Sequence, residues 1–301
     1  MIGTTVGALR RIEERLALMD GRLEFLTSRL NRPYYTLSEG WGLTFLDTGQ
    51  YFFVDTSDRA ITPWIIMGGH WEPNVTRPLL TYAQPGMNVV DIGAHMGYYT
   101  VKLGAKIGPT GRLFAFEPNP LIFPFCIENV KINNLSGHTM VFDCALGNTK
   151  TTETLSYSGN NSVNANLLFE QSADVSFKVQ VNKLDDIIEP HTKIDLIKLD
   201  AEGFERFILE GSQNAIKRSP HCALMIELGL ERWERGGAID DLTALCGRTK
   251  TIYKVCPDGC LEEIDVKKIK DFLLTCLFHE NYFFIGEKDK IRTFAGELLR
   301  S

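Results

Sequence analysis

The 301-residue sequence lacks an excess of positive charge: 32 Lys and Arg face 38 Asp and Glu, leaving a formal charge of −6. Broad electrostatic binding to nucleic acid or anionic lipid needs a basic face, so neither is expected as a partner. No stretch approaches the roughly 18 uncharged apolar residues of a membrane-spanning helix. The first residues carry Arg10, Arg11, Glu13, Glu14 and Arg15 where a secretory signal would place a short apolar core, so none is expected. The seven cysteines are odd in number and scattered. That suits reduced thiols in a cytoplasmic protein better than a disulfide framework. Cys256-Pro-Asp-Gly-Cys260 has the outline of a metal knuckle. No second Cys or His pair completes four ligands, so no zinc site is expected there. What remains is ordinary globular composition, 44% hydrophobic and 23% charged, in a chain long enough to bury a core without staples.

Near the start, Ile2, Thr5, Leu9, Ile12, Leu16, Met19, Leu23, Leu26 and Leu30 recur at alternating spacings of three and four. This is a heptad seam on one long helix, which Asn31-Arg32-Pro33 ends because proline disfavours helix at the residue before it. A helix packed on its own domain carries a wider apolar stripe than two positions in seven. The pattern therefore favours a coiled coil, and a homo-oligomer assembled through residues 2–30.

Further on, Leu43–Leu46 and Tyr51–Val54 flank the turn residues Asp47-Thr48-Gly49 and read as a hairpin. Then short apolar runs follow at Met87–Ile92, Arg112–Phe116, Thr139–Phe142, Lys193–Leu199 and Cys222–Leu228. Between most of them lie stretches with helical spacing: Tyr98–Ile107, Leu121–Ile132 and Phe204–Ile216. Strand and helix in alternation imply right-handed parallel crossovers, and hence an α/β, doubly wound sheet covered on both faces. Thr251–Val255 and Tyr282–Gly286 could close it as an antiparallel pair. The segment from Thr151 to Val181 breaks the alternation and reads as a polar loop followed by an inserted strand at Val175–Val181.

In such sheets ligands sit at the carboxyl ends of the strands. The first strand runs into Asp91-Ile-Gly93-Ala-His95-Met-Gly97. Glycines at 93 and 97 let bare backbone approach a ligand before a helix begins. The dinucleotide pattern Gly-x-Gly-x-x-Gly is missing, with His95 in the slot of its middle glycine, which speaks against a nicotinamide- or flavin-dependent oxidoreductase. The second strand ends in Phe116-Glu117-Pro-Asn119-Pro, placing Glu117 where a carboxylate can accept hydrogen bonds from ribose hydroxyls.

Taken with Gly69-His-Trp-Glu72-Pro, Pro85 to Gly97, Ala145-Leu-Gly147 and Lys198-Leu-Asp-Ala-Glu-Gly-Phe-Glu205, the stretch from Gly69 to Glu227 resembles the FkbM family of S-adenosylmethionine-dependent methyltransferases. One departure is His95, where that pattern usually has Asn; both can donate a hydrogen bond. The resemblance implies a mostly parallel, seven-stranded class I methyltransferase (Rossmann-like) sheet. The chain is then expected in three parts: the heptad helix over 1–32, which lies outside the resemblance, a lead-in covering the cofactor site over 33–84, and the catalytic domain over 85–301. The resemblance also implies S-adenosyl-L-methionine as cofactor. Backbone amides around Gly93, Ala94 and His95 would then hold its methionine carboxylate, with Gly97 closing the loop. Asp91 would reach the amino group, and Glu117 and Asn119 the ribose end. Asp143, Cys144 and Ala145 would flank the adenine, while Glu72 and Thr76 close over the methionine part. Asp200 borders both cofactor and acceptor.

Along the fourth strand, alternation puts Lys198 and Asp200 on one face, with Asp195 at the strand entrance. A buried lysine is costly unless paired, and Asp200 and Glu227 are its candidate partners. Asp200, Glu202, Lys198 and Glu227 are therefore the candidate catalytic residues, while Glu205 reads as structural. Transfer to a hydroxyl is helped by a base that takes its proton late, which Asp200 or Glu202 could be. An alternative is a divalent cation held by Asp200, Glu202 and Glu227 that acidifies the hydroxyl. The expected activity is O-methylation of a sugar, glycan or natural-product hydroxyl, an acceptor class that comes from the resemblance. The rival reading is a non-catalytic scaffold that keeps the fold and assembles through its coiled coil.

Overall fold

The computed structural model describes residues 33–157, 167, 175–229, 242–246, 250–265, 269, 280–286 and 298–299. The heptad helix expected over residues 2–30 lies outside them, as does the Asn- and Ser-rich stretch 158–166. Strands β1 (Tyr35–Ser38), β2 (Trp41–Phe45) and β3 (Tyr51–Asp55) form a small antiparallel sheet in that order. The expected hairpin is β2–β3, and β1 adds a third strand. Its β3 edge is sealed by side chains that imitate a neighbouring strand. Asn129 and Asn133, one helical turn apart, each accept from and donate to a β3 residue, Phe53 and Tyr51 respectively. Helices α1 (Thr62–Gly68) and α2 (Pro73–Tyr82) follow, each with a proline among its first two residues, where no N–H partner is needed.

The main sheet is built from β4 (Asn88–Ile92), α3 (Tyr98–Ile107), β5 (Arg112–Phe116), α4 (Phe123–Ile132) and β6 (Thr139–Phe142). After these come β7 (Ala145–Leu146), β8 (Thr151–Tyr157), β9 (Val175–Asn182) and α5 (Leu184–Ile187). The chain then returns to the sheet through β10 (Leu196–Leu199), α6 (Glu205–Glu210), α7 (Gln213–Arg218) and β11 (Ala223–Leu228). Last are α8 (Leu242–Cys246), β12 (Thr251–Val255), β13 (Leu261–Ile264) and β14 (Glu280–Ile285). Strand order is β13-β12-β14-β11-β10-β4-β5-β6, eight strands among the described residues where seven were expected. The extra one is β13, which pairs with β12 across the Cys256–Cys260 turn. That turn is a hairpin: Cys256 N–H donates to Cys260 O at 2.8 Å, with Gly259 in the left-handed region at φ 76°. Strands β11, β10, β4, β5 and β6 run parallel, and β12, β13 and β14 pair antiparallel at one end.

Period-two alternation divides the parallel strands between two cores. Val89, Leu113, Ala115, Leu196 and Met225 face α2, α3, α4 and the small sheet. Val90, Ile92, Phe114, Phe116, Ile197, Leu199 and Leu224 face α5 to α8. By the same parity Asp91 and Lys198, register partners on β4 and β10, point toward α3.

Two expectations are corrected. Thr151–Tyr157 is a strand rather than a loop, antiparallel to β9 in a separate sheet ordered β7-β9-β8. Phe204–Ile216 is two short helices, the chain leaving helical geometry at Ser212 (φ −117°, ψ 7°), next to Gly211, where a Cβ would lie 1.9 Å from Gly147 O. The backbones touch there, and the helix axis is interrupted at Gly211-Ser212. Among the described residues, no helix is long and apolar enough to cross a membrane.

Candidate active site

A cleft of about 300 Å³ opens at the carboxyl ends of β4, β5, β10 and β11. That is the low end of the roughly 300–1,000 Å³ typical of ligand pockets. Its floor is the turn Gly93-Ala94-His95, pressed against β10: a Cβ on Gly93, whose φ is +77°, would lie 1.8 Å from Asp200 O. Only glycine serves at that position. The amides expected to receive a carboxylate are already used. Gly93 N–H and Ala94 N–H both donate to Phe116 O, at 3.1 and 3.0 Å. His95 N–H donates to Glu117 Oε2 at 2.8 Å. The parallel register of β4 and β5 draws the turn onto the end of β5, so these residues line the cleft by surface rather than by N–H groups.

Glu117 is the best-defined polar group at the end of β5. It is 6% exposed, with Oε2 on His95 N–H and Oε1 on Asn119 N–H at 2.8 Å. Burial pushes its carboxyl up to about 7 against those two hydrogen bonds, which favour the ionised form. Burial also lowers the His95 imidazole to about 4, keeping it neutral near pH 7 and removing it as a cation. Cys144 and Ala145 line the wall nearby, whereas Asp143 is exposed and off it.

Several expected cofactor residues stand behind the wall rather than on it. Asp91 is fully buried; its Oδ2 accepts from Thr100 Oγ1 at 2.6 Å, and its Oδ1 has no hydrogen-bond partner among the described residues. Burial raises its pKa, while Lys198 and Thr100 act the other way. Gly97 caps α3 and admits Cys126, whose Sγ would be 3.0 Å from a Cβ there. Asn119 orders the turn after β5, its Oδ1 accepting from Leu121 N–H. The Thr76 hydroxyl donates to Trp71 O at 2.9 Å and lies 3.2 Å from the Tyr98 hydroxyl, locking α2 to α3.

On the opposite side, Lys198 is 4% exposed and bonds Asp200 Oδ2 at 3.2 Å and Gly93 O at 3.5 Å. Burial opposes its charge, yet Asp200, Asp91 and Glu72 hold its pKa above the ordinary lysine range. One carboxylate oxygen from each of Asp200, Glu202 and Glu227 can be chosen so that all lie within 4.8 Å of one another. These are the three residues named for a cation or a base, and all line the cleft with Lys198. Glu202 is held at φ 53°, outside ordinary helix or strand geometry. Glu205 is buried and accepts from Ala201 N–H and Gly203 N–H through Oε1, at 2.9 and 3.0 Å. It shapes the turn and stays off the cleft wall.

Sequence reasoning missed the aromatic wall. Phe52, Trp71, Tyr98, Tyr99, Phe116 and Phe204 all line the cleft. Tyr98 and Tyr99 follow Gly97 directly and read as the start of a helix. Trp71 stands inside the quoted Gly69–Pro73 motif, where its neighbour Glu72 drew the attention.

The wall suits S-adenosylmethionine. A buried carboxylate stands at the end of the second parallel strand, a glycine turn that tolerates no Cβ forms the floor, and Glu72 and Asp200 offer negative charge toward cationic groups. A family model for the methyltransferase FkbM domain matches residues 91–271. The chain belongs to the FkbM methyltransferase family. It is an S-adenosylmethionine-dependent methyltransferase. Among relatives of this FkbM protein, methyltransferase sdnD of Sordaria araneosa is 25% identical over 188 residues, 52% of this chain and 70% of that protein. The hexuronic acid methyltransferase AglP of Haloferax volcanii is 25% identical over 170 residues, 56% of this chain and 67% of that protein. Among solved structures, P. horikoshii TYW2 in complex with MeSAdo aligns with a TM-score of 0.44 at 12% identity, over 84% of this chain and 74% of that one.

Proposed function

We propose that this FkbM protein is an O-methyltransferase acting on a hydroxyl of a sugar, glycan or related natural product. The observation that carries the reading is the convergence of Asp200, Glu202 and Glu227 at the strand ends, on the same cleft as Glu117. The hexuronic acid named for AglP supports a carbohydrate acceptor. When bound, S-adenosylmethionine supplies a methyl group on a sulfonium. That methyl would pass to the acceptor oxygen with the carbon–sulfur electron pair left on sulfur, and Asp200 or Glu202 would take the hydroxyl proton. Glu117 and Glu72 serve the cofactor, and Cys144 and Ala145 border its base. Lys198 orients Asp200 by its hydrogen bond. Positioning and exclusion of water carry most of the rate, and a base adds about 10²–10⁴-fold.

The test is turnover of Asp200→Asn and Glu202→Gln on a panel of glycan acceptors, alongside titration with S-adenosylhomocysteine. The expected result is a loss of about 10²-fold or more in turnover at saturating cofactor in one of them. Normal turnover in both would remove the base from the reaction. Loss of the native rate in EDTA, restored by Mg²⁺, would assign the three carboxylates to a cation instead.

A further inference from the structure

We infer that Tyr99 is a positioning residue for the cofactor: it aims the Glu72 carboxylate into the cleft and joins the segment before β4 to the catalytic sheet. The inference rests on the cleft being the S-adenosylmethionine site.

Glu72 lies between α1 and α2, at φ 43° in the left-handed region, directly before Pro73. A non-glycine residue holds that conformation only when its surroundings over-determine it. Glu72 lines the cleft, yet its own backbone belongs to the 33–84 segment, apart from the sheet. Burial raises its pKa and Asp200 adds to that, while the Lys198 ammonium and the Tyr99 hydroxyl act the other way. Left to itself, the Glu72 side chain would turn toward the Lys198 ammonium and compete with Asp200 for it.

Tyr99 prevents this. Its hydroxyl donates to Glu72 Oε2 at 2.9 Å, and the Lys198 ammonium lies 4.8 Å from its ring centroid. The ring therefore stands beside the lysine while the hydroxyl holds the carboxylate. A cation near an aromatic face is itself a favourable contact. Burial and the charge of Glu72 push the phenol well above its usual range, so the hydroxyl stays protonated and keeps donating. Beside it, Tyr98 meets Thr76, so successive residues of α3 engage both Glu72 and α2. In this arrangement Lys198 serves Asp200, and the Glu72 carboxylate is turned to the cationic amino group that S-adenosylmethionine and S-adenosylhomocysteine share.

The experiment is a double-mutant cycle on the full chain with Tyr99→Phe and Glu72→Ala. Binding of S-adenosylhomocysteine is read by calorimetry, with melting temperature and the steady-state constants for S-adenosylmethionine alongside. Tyr99→Phe keeps the ring and loses only the hydroxyl. It is expected to weaken binding about tenfold (about 1.4 kcal/mol) and raise KM similarly. The value of kcat should stay within threefold and melting within a few degrees. Glu72→Ala is expected to weaken binding at least as much, and adding Tyr99→Phe to it should cost nothing further. Unchanged affinity in Tyr99→Phe overturns the inference. So do losses that multiply in the double variant, and so does a fall in melting temperature without a change in affinity. Absence of binding by the native chain would instead fail the cofactor site itself.

Discussion

Glu117 gives a test that needs no acceptor. Its carboxyl, 6% exposed, is raised to about 7 from an ordinary 4.5 by burial. The folded protein therefore holds a proton that the unfolded chain has released between those two values. The stability this group contributes is present below pH 4.5, falls as pH rises, and levels off above 7. Linkage over the window from pH 5 to pH 8 amounts to about 2.5 kcal/mol. Glu117→Gln removes the titration while keeping the shape. Its absolute stability should be lower at pH 5, because the two carboxyl oxygens accept from His95 and Asn119 N–H groups and one of those donors would then face an amide NH₂. The difference between native and variant is what matters. In urea unfolding it should move by about 2.5 kcal/mol in favour of the variant on going from pH 5 to pH 8. A difference that stays constant across that range would show that Glu117 is ionised in the folded protein throughout, and that the burial argument is wrong. Ribose hydroxyls would donate to the ionised form, so saturating S-adenosylhomocysteine should flatten the native slope and leave that of the variant alone.

Two other changes probe the frame around the cleft. Gly93→Ala puts a methyl group 1.8 Å from Asp200 O at a φ of +77°. It should cost about 3 kcal/mol or more and abolish measurable S-adenosylhomocysteine binding, as checked by melting and calorimetry; near-native values in both would contradict the close approach of β4 and β10. Asn129→Ala strips partners from Phe53 N–H, Phe53 O and Met96 O together. Denaturant unfolding should show a loss of about 3 kcal/mol, and a loss below 1 kcal/mol would mean that β3 does not depend on this side-chain edge.

The local pattern of the chain carried much of the architecture. Arg112–Phe116, Thr139–Phe142 and Tyr98–Ile107 were delimited by apolar period and flanking glycine, and the structure has the same limits. A strand buried on both faces is an uninterrupted apolar run, and a helix stops where glycine or proline follows; neither needs distant contacts to be read. The break at Gly211 was not legible, and the backbone it meets there, Gly147, is remote in the chain. The strand at Thr151–Tyr157 was hidden for a similar reason: its polar sequence becomes a strand by pairing with β9.

The same division holds in the cleft. Residue type and strand-end position were enough to nominate Glu117, Lys198, Asp200, Glu202 and Glu227, since acids and a lysine beside buried strands are costly without a purpose. Sequence also set the family, through motifs in the right order. Only the tertiary structure decided which atoms remain for a ligand. It uses the Gly93, Ala94 and His95 amides on β5, sets Thr76, Asn119 and Gly97 behind the wall, and turns Asp143 outward. It also brings Tyr99 to Glu72 from 27 residues away in sequence. Hydrogen bonds of that kind depend on register and packing between elements, which no local pattern encodes, whereas the elements themselves arise from periodicity that neighbouring residues carry.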